Sequence, residues 1–330
     1  LIMANMEDVA KLAGVSTATI SHVINETRYV SDKTKEKVKK AMDELDYHPN
    51  NAARSLRRQK SNIIGLLIPD VSNQFYTTLV KGVEKEIKKR NYHLILSNYN
   101  GNISEAKEQL KIFNGQMIDG LIMRPTTGDH SFLQDYLKNI PTVFIDCKPN
   151  NYFGGDSILV DNVGGSYDAI THLIERGHKK IGIITGSHGL TTSEERIDGY
   201  KKALIDNDII INEKIIKYGD YKTESGYKFI ESLLKERITA LFVGNNIISI
   251  GVLNYLKDHK INVPENLALI GFDDRPWTTI VNPSLTVVDQ SAYKIGQKAA
   301  KVMLNRIEND DKENYQEYRL PTKLIIRESS

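Results

Sequence analysis

The chain is short of several things, and each shortage removes a class of protein. It has one cysteine, Cys147, in 330 residues. A single thiol makes neither an internal bridge nor a zinc knuckle, which excludes a disulfide-framed secreted fold. Long apolar runs are missing. The longest, around residues 63–69, falls far below the roughly 20 residues that a bilayer-spanning helix needs. The chain does not open on a charged start followed by a long apolar stretch, so the expectation is a protein without a secretory signal, working in a reducing cytoplasm and away from membranes. An excess of one charge is absent too: 44 Lys+Arg face 42 Asp+Glu, a net of +2, which taken whole speaks against a uniformly basic nucleic-acid binder. Enzyme signatures are scarce. There is no phosphate loop of the form G-x-x-x-x-G-K-S/T and no nucleophile elbow of the form G-x-S-x-G, and the eight histidines never form an i, i+4 zinc pair. Asp273-Asp274 imitates a metal carboxylate pair, but a turn is the plainer explanation. The expectation is therefore no catalysis, no metal and no cofactor.

What remains is an ordinary globular composition, 40% hydrophobic and 26% charged, over a length that suits two or three domains. The charge is unevenly spread. Residues 1–60 carry eleven Lys/Arg and eight Asp/Glu, a net of +3, which leaves −1 for the rest. Between Tyr47 and Lys60 the bases Arg54, Arg57 and Arg58 meet no acid at all. Upstream, Met6, Val9, Ala10 and Ala13 recur at helical spacing, and Gly14 then ends the pattern. Ser16 offers an N-cap to a second helix over residues 17–24 with Ile20, Val23 and Ile24 inward. A third helix follows Ser31 to about Leu45, with Val38, Ala41, Met42 and Leu45 on one face. Three short helices with a glycine turn between the first two suit a helix-turn-helix, although the apolar spacing alone fits any small bundle. Thr17, Ala18, Ser21 and His22 are small or hydrogen-bonding and have no apolar partner in sequence, which suits the edge of a major groove.

The stretch DVAKLAGVSTATISHVIN, Asp8 to Asn25, resembles the helix-turn-helix of the LacI/GalR family of bacterial repressors, and the likeness continues through Tyr29 to Leu56 and on to LPTKLIIRESS. The resemblance implies base reading by Thr17, Ala18 and His22, and contacts to the DNA backbone from Ser16, Ser21, Asn25, Tyr29, Ser31 and Thr34. Ser16 and Ser31 would cap helices as well. His22 departs from the family's usual arginine, which pairs with guanine in a way histidine cannot. Residues 49–61 resemble a hinge helix, with Asn50, Ala53, Arg54 and Leu56 at the minor groove. Leu56 would be the apolar wedge that unstacks a base step. Alone, so short a helix is marginal, so it would form when two copies meet on DNA.

From residue 62 onward apolar runs alternate with helical patterns. Strands are expected at 62–69, 93–97, 119–123, 142–146, 158–161, 180–185, 239–243, 267–272 and 285–288. Helices are expected at 75–90, 104–115, 165–176 and 192–207. So many alternating elements imply two doubly wound parallel-sheet lobes behind an all-α head. The family likeness implies a periplasmic-binding-protein-like core. One lobe would span about 62–160 and 291–320, the other about 162–289 and 322–330, with chain crossings near 161, 290 and 321. A head at 1–48 and the linker at 49–61 complete the expected domains. A ligand would lie between the lobes, beyond the carboxyl ends of the strands. There the likeness implies effector contacts from Arg196 and Asp273 first, then Asp146, Asn245, Gln290, Phe75 and Tyr76. Without it, Asp273 would read as a surface turn and Arg196 as an ion pair with Glu194 or Glu195.

Two departures bear on the ligand. The family's Asn-Pro-Phe-Phe reads Asn73-Gln74-Phe75-Tyr76 here, and its Asn-Asp reads Asn245-Asn246. Both are expected to change pocket polarity. The arginine of ERIDGY argues against the subgroup that answers mainly to a phosphorylated partner protein. The sequence thus reads as a homodimeric repressor on a near-palindromic double-stranded operator, controlled by a small effector of the sugar type. No leucine heptad follows LIIRESS, so a dimer rather than a tetramer is expected. A nucleobase- or phosphoprotein-responsive member is the alternative. A stand-alone sugar receptor would leave residues 1–60 unexplained.

Overall fold

The computed structural model describes residues 4–25, 27–47, 60–309 and 313–330. Contacts divide the chain into two units, Leu1–Ser61 and Asn62–Ser330.

In the first unit, α1 (Met6–Ala13) is fixed at both ends. Asn5 and Asp8 form a reciprocal capping box, and Gly14 closes the helix in the left-handed conformation at φ 66°. The tight exit turns the chain into α2 (Thr17–Asn25), whose first turn is capped by Ser16 Oγ accepting from the Thr19 N–H at 3.1 Å. Ser31 caps α3 (Asp32–Glu44) by accepting from the Thr34 N–H. Val9, Ala10, Ala13, Ile20, Val38 and Ala41 are the buried centre, with Val23, Ile24, Met42 and Leu45 packed around it. The inward residues read from the sequence therefore share one core.

The second unit holds two six-stranded sheets. The first contains β1 (Ile63–Ile68), β2 (His93–Asn98), β3 (Gly120–Met123), β4 (Thr142–Ile145), β5 (Asp156–Val160) and, late in the chain, β11 (Glu317–Leu320). Their order is β11-β5-β4-β3-β1-β2, and every pair is parallel. Helices α4 (Gln74–Lys88), α5 (Ile103–Gly115), α6 (Leu133–Leu137) and α11 (Ala292–Asn309) belong to this lobe. The second sheet contains β6 (Ile181–Thr185), β7 (Ile216–Tyr218), β8 (Ala240–Val243), β9 (Ala268–Phe272), β10 (Thr286–Asp289) and β12 (Lys323–Ile325), in the order β12-β10-β9-β8-β6-β7. Around it lie α7 (Asn162–Glu175), α8 (Thr191–Asp206), α9 (Thr223–Lys235) and α10 (Asn246–Asp258). One detail differs from the all-parallel expectation: β12 runs antiparallel to β10. It is a three-residue edge strand that enters from a return crossing of the chain, not from a helix, so nothing forces a parallel approach.

The chain passes between the sheets three times, after β5, after β10 and after β11. Two crossings lie side by side, since Asp161 N donates to Leu320 O at 2.9 Å and Thr322 Oγ1 donates to Asp161 O at 3.1 Å. Buried ion pairing fixes α11 to its sheet. Arg306 forks onto fully buried Asp156 through Nε (2.7 Å) and Nη2 (2.8 Å). Helices α4 and α11 approach backbone to backbone at Gly82 and Gly296. A Cβ on Gly82 would run into the Tyr293 carbonyl oxygen, and one on Gly296 into that of Leu79.

Candidate functional site

Two surfaces gather the residues singled out by sequence. The first is the open face of α2. Thr17 and Ala18 are exposed at its start, while Ser21, His22 and Asn25 are half-buried further along. These positions fall on one side of the helix, across from buried Ile20. His22 is already engaged: its Nδ1 lies 2.8 Å from Thr27 Oγ1, leaving the other ring nitrogen for an outside partner. Asn25 folds back, donating to Ser21 O (2.8 Å) and Ser21 Oγ (3.2 Å), so these two hold each other in place. Tyr29 is 92% exposed. Ser31 and Thr34 share a contact of 2.9 Å at the start of α3, where N–H groups and helix dipole favour an anion. The hinge positions Asn50, Ala53, Arg54 and Leu56 lie outside the described residues.

The second surface is a cavity of about 350 Å³ between the lobes of the second unit. All seven residues read as effector contacts line it: Phe75, Tyr76, Asp146, Arg196, Asn245, Asp273 and Gln290. The reason is topological. Strands of both sheets end on this cavity, so whatever follows an apolar strand is carried to its wall. Asp146 follows β4 and Asp273 follows β9. Both adopt left-handed backbone, at φ 67° and 79°, and both donate their N–H to the next strand, to Ile158 O and Val288 O. Each lobe thus presents a carboxylate in the same way. Outside turns, such backbone is sparsely occupied even by aspartate, and it concentrates at binding sites.

The partners decide what each group has left to offer. Asp273 is 3% exposed, not a surface turn; its Oδ1 accepts from Gln290 Nε2 and faces Arg275 Nη2 at 3.8 Å. Arg196 is 2% exposed. It pairs with neither Glu194 nor Glu195: Nε donates to Asn162 Oδ1 at 3.0 Å, Nη1 donates to Gly244 O, and the guanidinium lies 3.7 Å from the Phe272 ring centre. Glu195 is taken by Arg319 instead, at 2.7 Å. Asn245 is partly spent, because its Oδ1 caps α10 by accepting from Ile247 and Ile248 N–H. Phe75 and Tyr76 meet edge to face at 5.1 Å. Burial pushes the Tyr76 phenol and the Cys147 thiol up, so both stay protonated at neutral pH and no thiolate is generated. Asp274 points elsewhere, to a two-oxygen pairing with Arg327 at 2.8 and 2.9 Å. Among the described residues no group of three His, Cys, Asp or Glu is placed to hold a metal.

One sequence expectation needs correction. Gln74 is exposed and Asn246 is buried, and neither lines the cavity; of the altered positions only Tyr76, a tyrosine where the family has phenylalanine, brings a polar group to its wall. Asn246 has a different task. Its Nδ2 donates across the lobes to Asn73 Oδ1 at 3.1 Å, and that oxygen also caps α4. Several lining residues were missed, among them Asn73, Thr126, Thr192, Tyr221 and above all Arg124. Arg124 directly follows the apolar run of β3, the same signal that marked Asp146 after β4.

Known proteins can now be set beside this geometry. Residues 5–50 match the bacterial regulatory proteins of the lacI family, and residues 170–330 match a periplasmic binding protein-like domain. The HTH-type transcriptional repressor PurR of Haemophilus influenzae is 35% identical, over 99% of this chain and 98% of that one. The ribose operon repressor of Haemophilus influenzae is also 35% identical, with the same coverage of both chains. The solved lac repressor dimer bound to operator and an anti-inducer superposes with a TM-score of 0.86 at 25% identity, covering 99% of this chain and 98% of that one. The chain belongs to the lacI family of bacterial regulatory proteins. It is a DNA-binding transcriptional repressor with a small-molecule effector site, not an enzyme. No helix among the described residues is long and apolar enough to cross a membrane.

Proposed function

We propose that two copies of this chain repress transcription from a near-palindromic operator in the cytoplasm and that a sugar bound between the lobes controls them. The observation that carries this reading is the cavity wall: paired aspartates, two buried arginines, amides and an aromatic pair in about 350 Å³. Carboxylates and amides accept from hydroxyls, guanidinium donates to them, and an aromatic face covers the apolar side of a ring. Thr17, Ala18 and His22 read bases, Ser16, Ser21, Asn25, Tyr29, Ser31 and Thr34 position the backbone, and Asn50, Ala53, Arg54 and Leu56 serve the hinge. Ligand shifts the equilibrium between operator-competent and incompetent states only through unequal affinity for the two. A second reading, a purine effector, is favoured by relatives named PurR and by the ring pair Phe75–Tyr76.

The test starts from operator fragments selected out of random DNA by the full chain. Binding should fall steeply with salt and vanish when residues 1–60 are removed. Leu56→Ala should weaken the selected operator by at least tenfold, about 1.4 kcal/mol, while leaving ligand affinity unchanged; undiminished operator affinity would remove the wedge. Arg196→Ala should bind operator and ignore every sugar, and a sugar response surviving in that variant refutes the cavity assignment. Melting temperatures across a panel of sugars and purine bases separate the two effector readings.

A further inference from the structure

The buried charges around the cavity do not balance. Three arginines, Arg124, Arg196 and Arg275, and two aspartates, Asp146 and Asp273, are each at most 6% exposed. Arg275 faces Asp273, and Arg124 faces Asp146 through Nε at 3.1 Å. Arg196 has no carboxylate partner among the described residues; its bonds run to an amide oxygen and a carbonyl. Asp70, Asp220 and Lys222 also border the cavity, but they are exposed or half-exposed, where water screens them. A buried cation without an anion is costly, and a ligand that brings the missing charge recovers that cost.

The excess of one positive charge belongs to the buried set of three arginines and two aspartates as a whole, and Arg124 gives an anion a place in it. It stands on the first lobe, opposite Arg196 on the second. Its carbonyl is held by the Tyr99 hydroxyl at 2.6 Å, Asp146 fixes its Nε edge, and its guanidinium lies 5.5 Å from the Tyr221 ring centre across the cavity. Asp146 is the one carboxylate on its guanidinium and the Tyr99 hydroxyl lies beside it, while Arg196 Nη2 has no hydrogen bond to another described residue. The guanidinium is therefore oriented but not satisfied, the state of a group built to receive two acceptor oxygens.

We propose that the effector is an anionic sugar, carrying a phosphate ester or a carboxylate, and that Arg124 receives the anionic group while the second lobe holds the hydroxyls. The inference rests on the sugar reading and sharpens it. It also explains how one ligand closes the lobes, because the anion and the hydroxyls are gripped from opposite sides.

The experiment is calorimetric titration of the full chain with ribose, ribose 5-phosphate, ribonate, inorganic phosphate and hypoxanthine, repeated on Arg124→Met, Arg124→Lys and Arg124→Met/Asp146→Asn. The double variant leaves no buried unpaired aspartate, so loss of folding cannot imitate loss of binding. The expected result is that ribose 5-phosphate or ribonate binds at least about tenfold more tightly than ribose. That preference should collapse in both methionine variants and partly return with lysine. Tight binding of the phosphate ester but not the carboxylate, or the reverse, identifies the group within the proposal. Equal affinity for ribose and its anionic forms, or a preference that survives Arg124→Met, overturns the anion proposal and leaves the sugar reading standing. Binding of hypoxanthine alone, of inorganic phosphate alone, or of nothing in the panel overturns both.

Discussion

His130 shows how one side chain registers its surroundings. It is 1% exposed, and its Nδ1 accepts from the Asn150 N–H at 3.1 Å. Adding a proton there would break that bond, and burial in any case pushes the imidazole below its usual value of 6.5. The unfolded chain therefore takes up a proton that the fold refuses. The resulting stability is complete above about pH 6.5 and is lost progressively as pH falls below it. His130→Gln does not titrate, so the melting temperature of the parent should decline more than that of the variant between pH 7.5 and 5. Parallel declines would mean that His130 is protonated in the fold. At this scale sequence reading was uneven. Asp146, Asp273 and Gln290 were legible through the family likeness; each also closes an apolar run, where a polar residue is carried to the carboxyl end of a sheet, but that pattern alone leaves Asp273 reading as a surface turn. Arg124 obeys the same rule, yet a lone arginine after a strand resembles a solvated end, and only its burial against Asp146 distinguishes the two. The hydrogen bond between Asn73 and Asn246 joins residues 173 positions apart, which no local pattern encodes.

Elements were legible where their pattern was simple. The fully buried strands β3, β4, β6 and β8 appear as short continuous apolar runs. Helices α9, α10 and α11 were not assigned from sequence, for different reasons. In α10 the stretch NIISIGVLNYLKD is apolar on more than one side: Ile248, Val252, Tyr255 and Leu256 form the buried face, and half-buried Ile247, Ile250 and Leu253 add a second apolar flank, which blunts the helical period. In α11 the stripe of Ile295, Ala299, Val302 and Met303 is regular, and its period alone would have revealed it. The contact of α11 with α4 depends on two glycines, and this makes a sharp prediction. Gly82→Ala adds only a methyl group, and in an open helix it would stabilise by about 0.5–1 kcal/mol. Here it meets backbone rather than a yielding side chain. Net destabilisation of about 1–3 kcal/mol is expected in denaturant titration, the range for an overpacked core. A stabilised variant would show that the two helices can separate without loss.

For the whole molecule, two balances matter more than the totals. The net charge of +2 conceals a head at +3 and a remainder at −1. So small a positive charge gives modest attraction to DNA, and in the dimer proposed above operator affinity depends on placing two heads and a hinge at once. The buried arginines and aspartates are likewise invisible in the composition, because only folding sets them around one cavity. The three crossings between the lobes carry a consequence of another kind. A protein whose halves hang on one linker falls apart when a protease cuts it. Here the lobes are sewn together at three points, two of them side by side. A single cut near residue 161 should leave a core that migrates as one piece on a native column and as two fragments only after denaturation. Cleavage accompanied by separation of the lobes would show that one seam carries the whole junction.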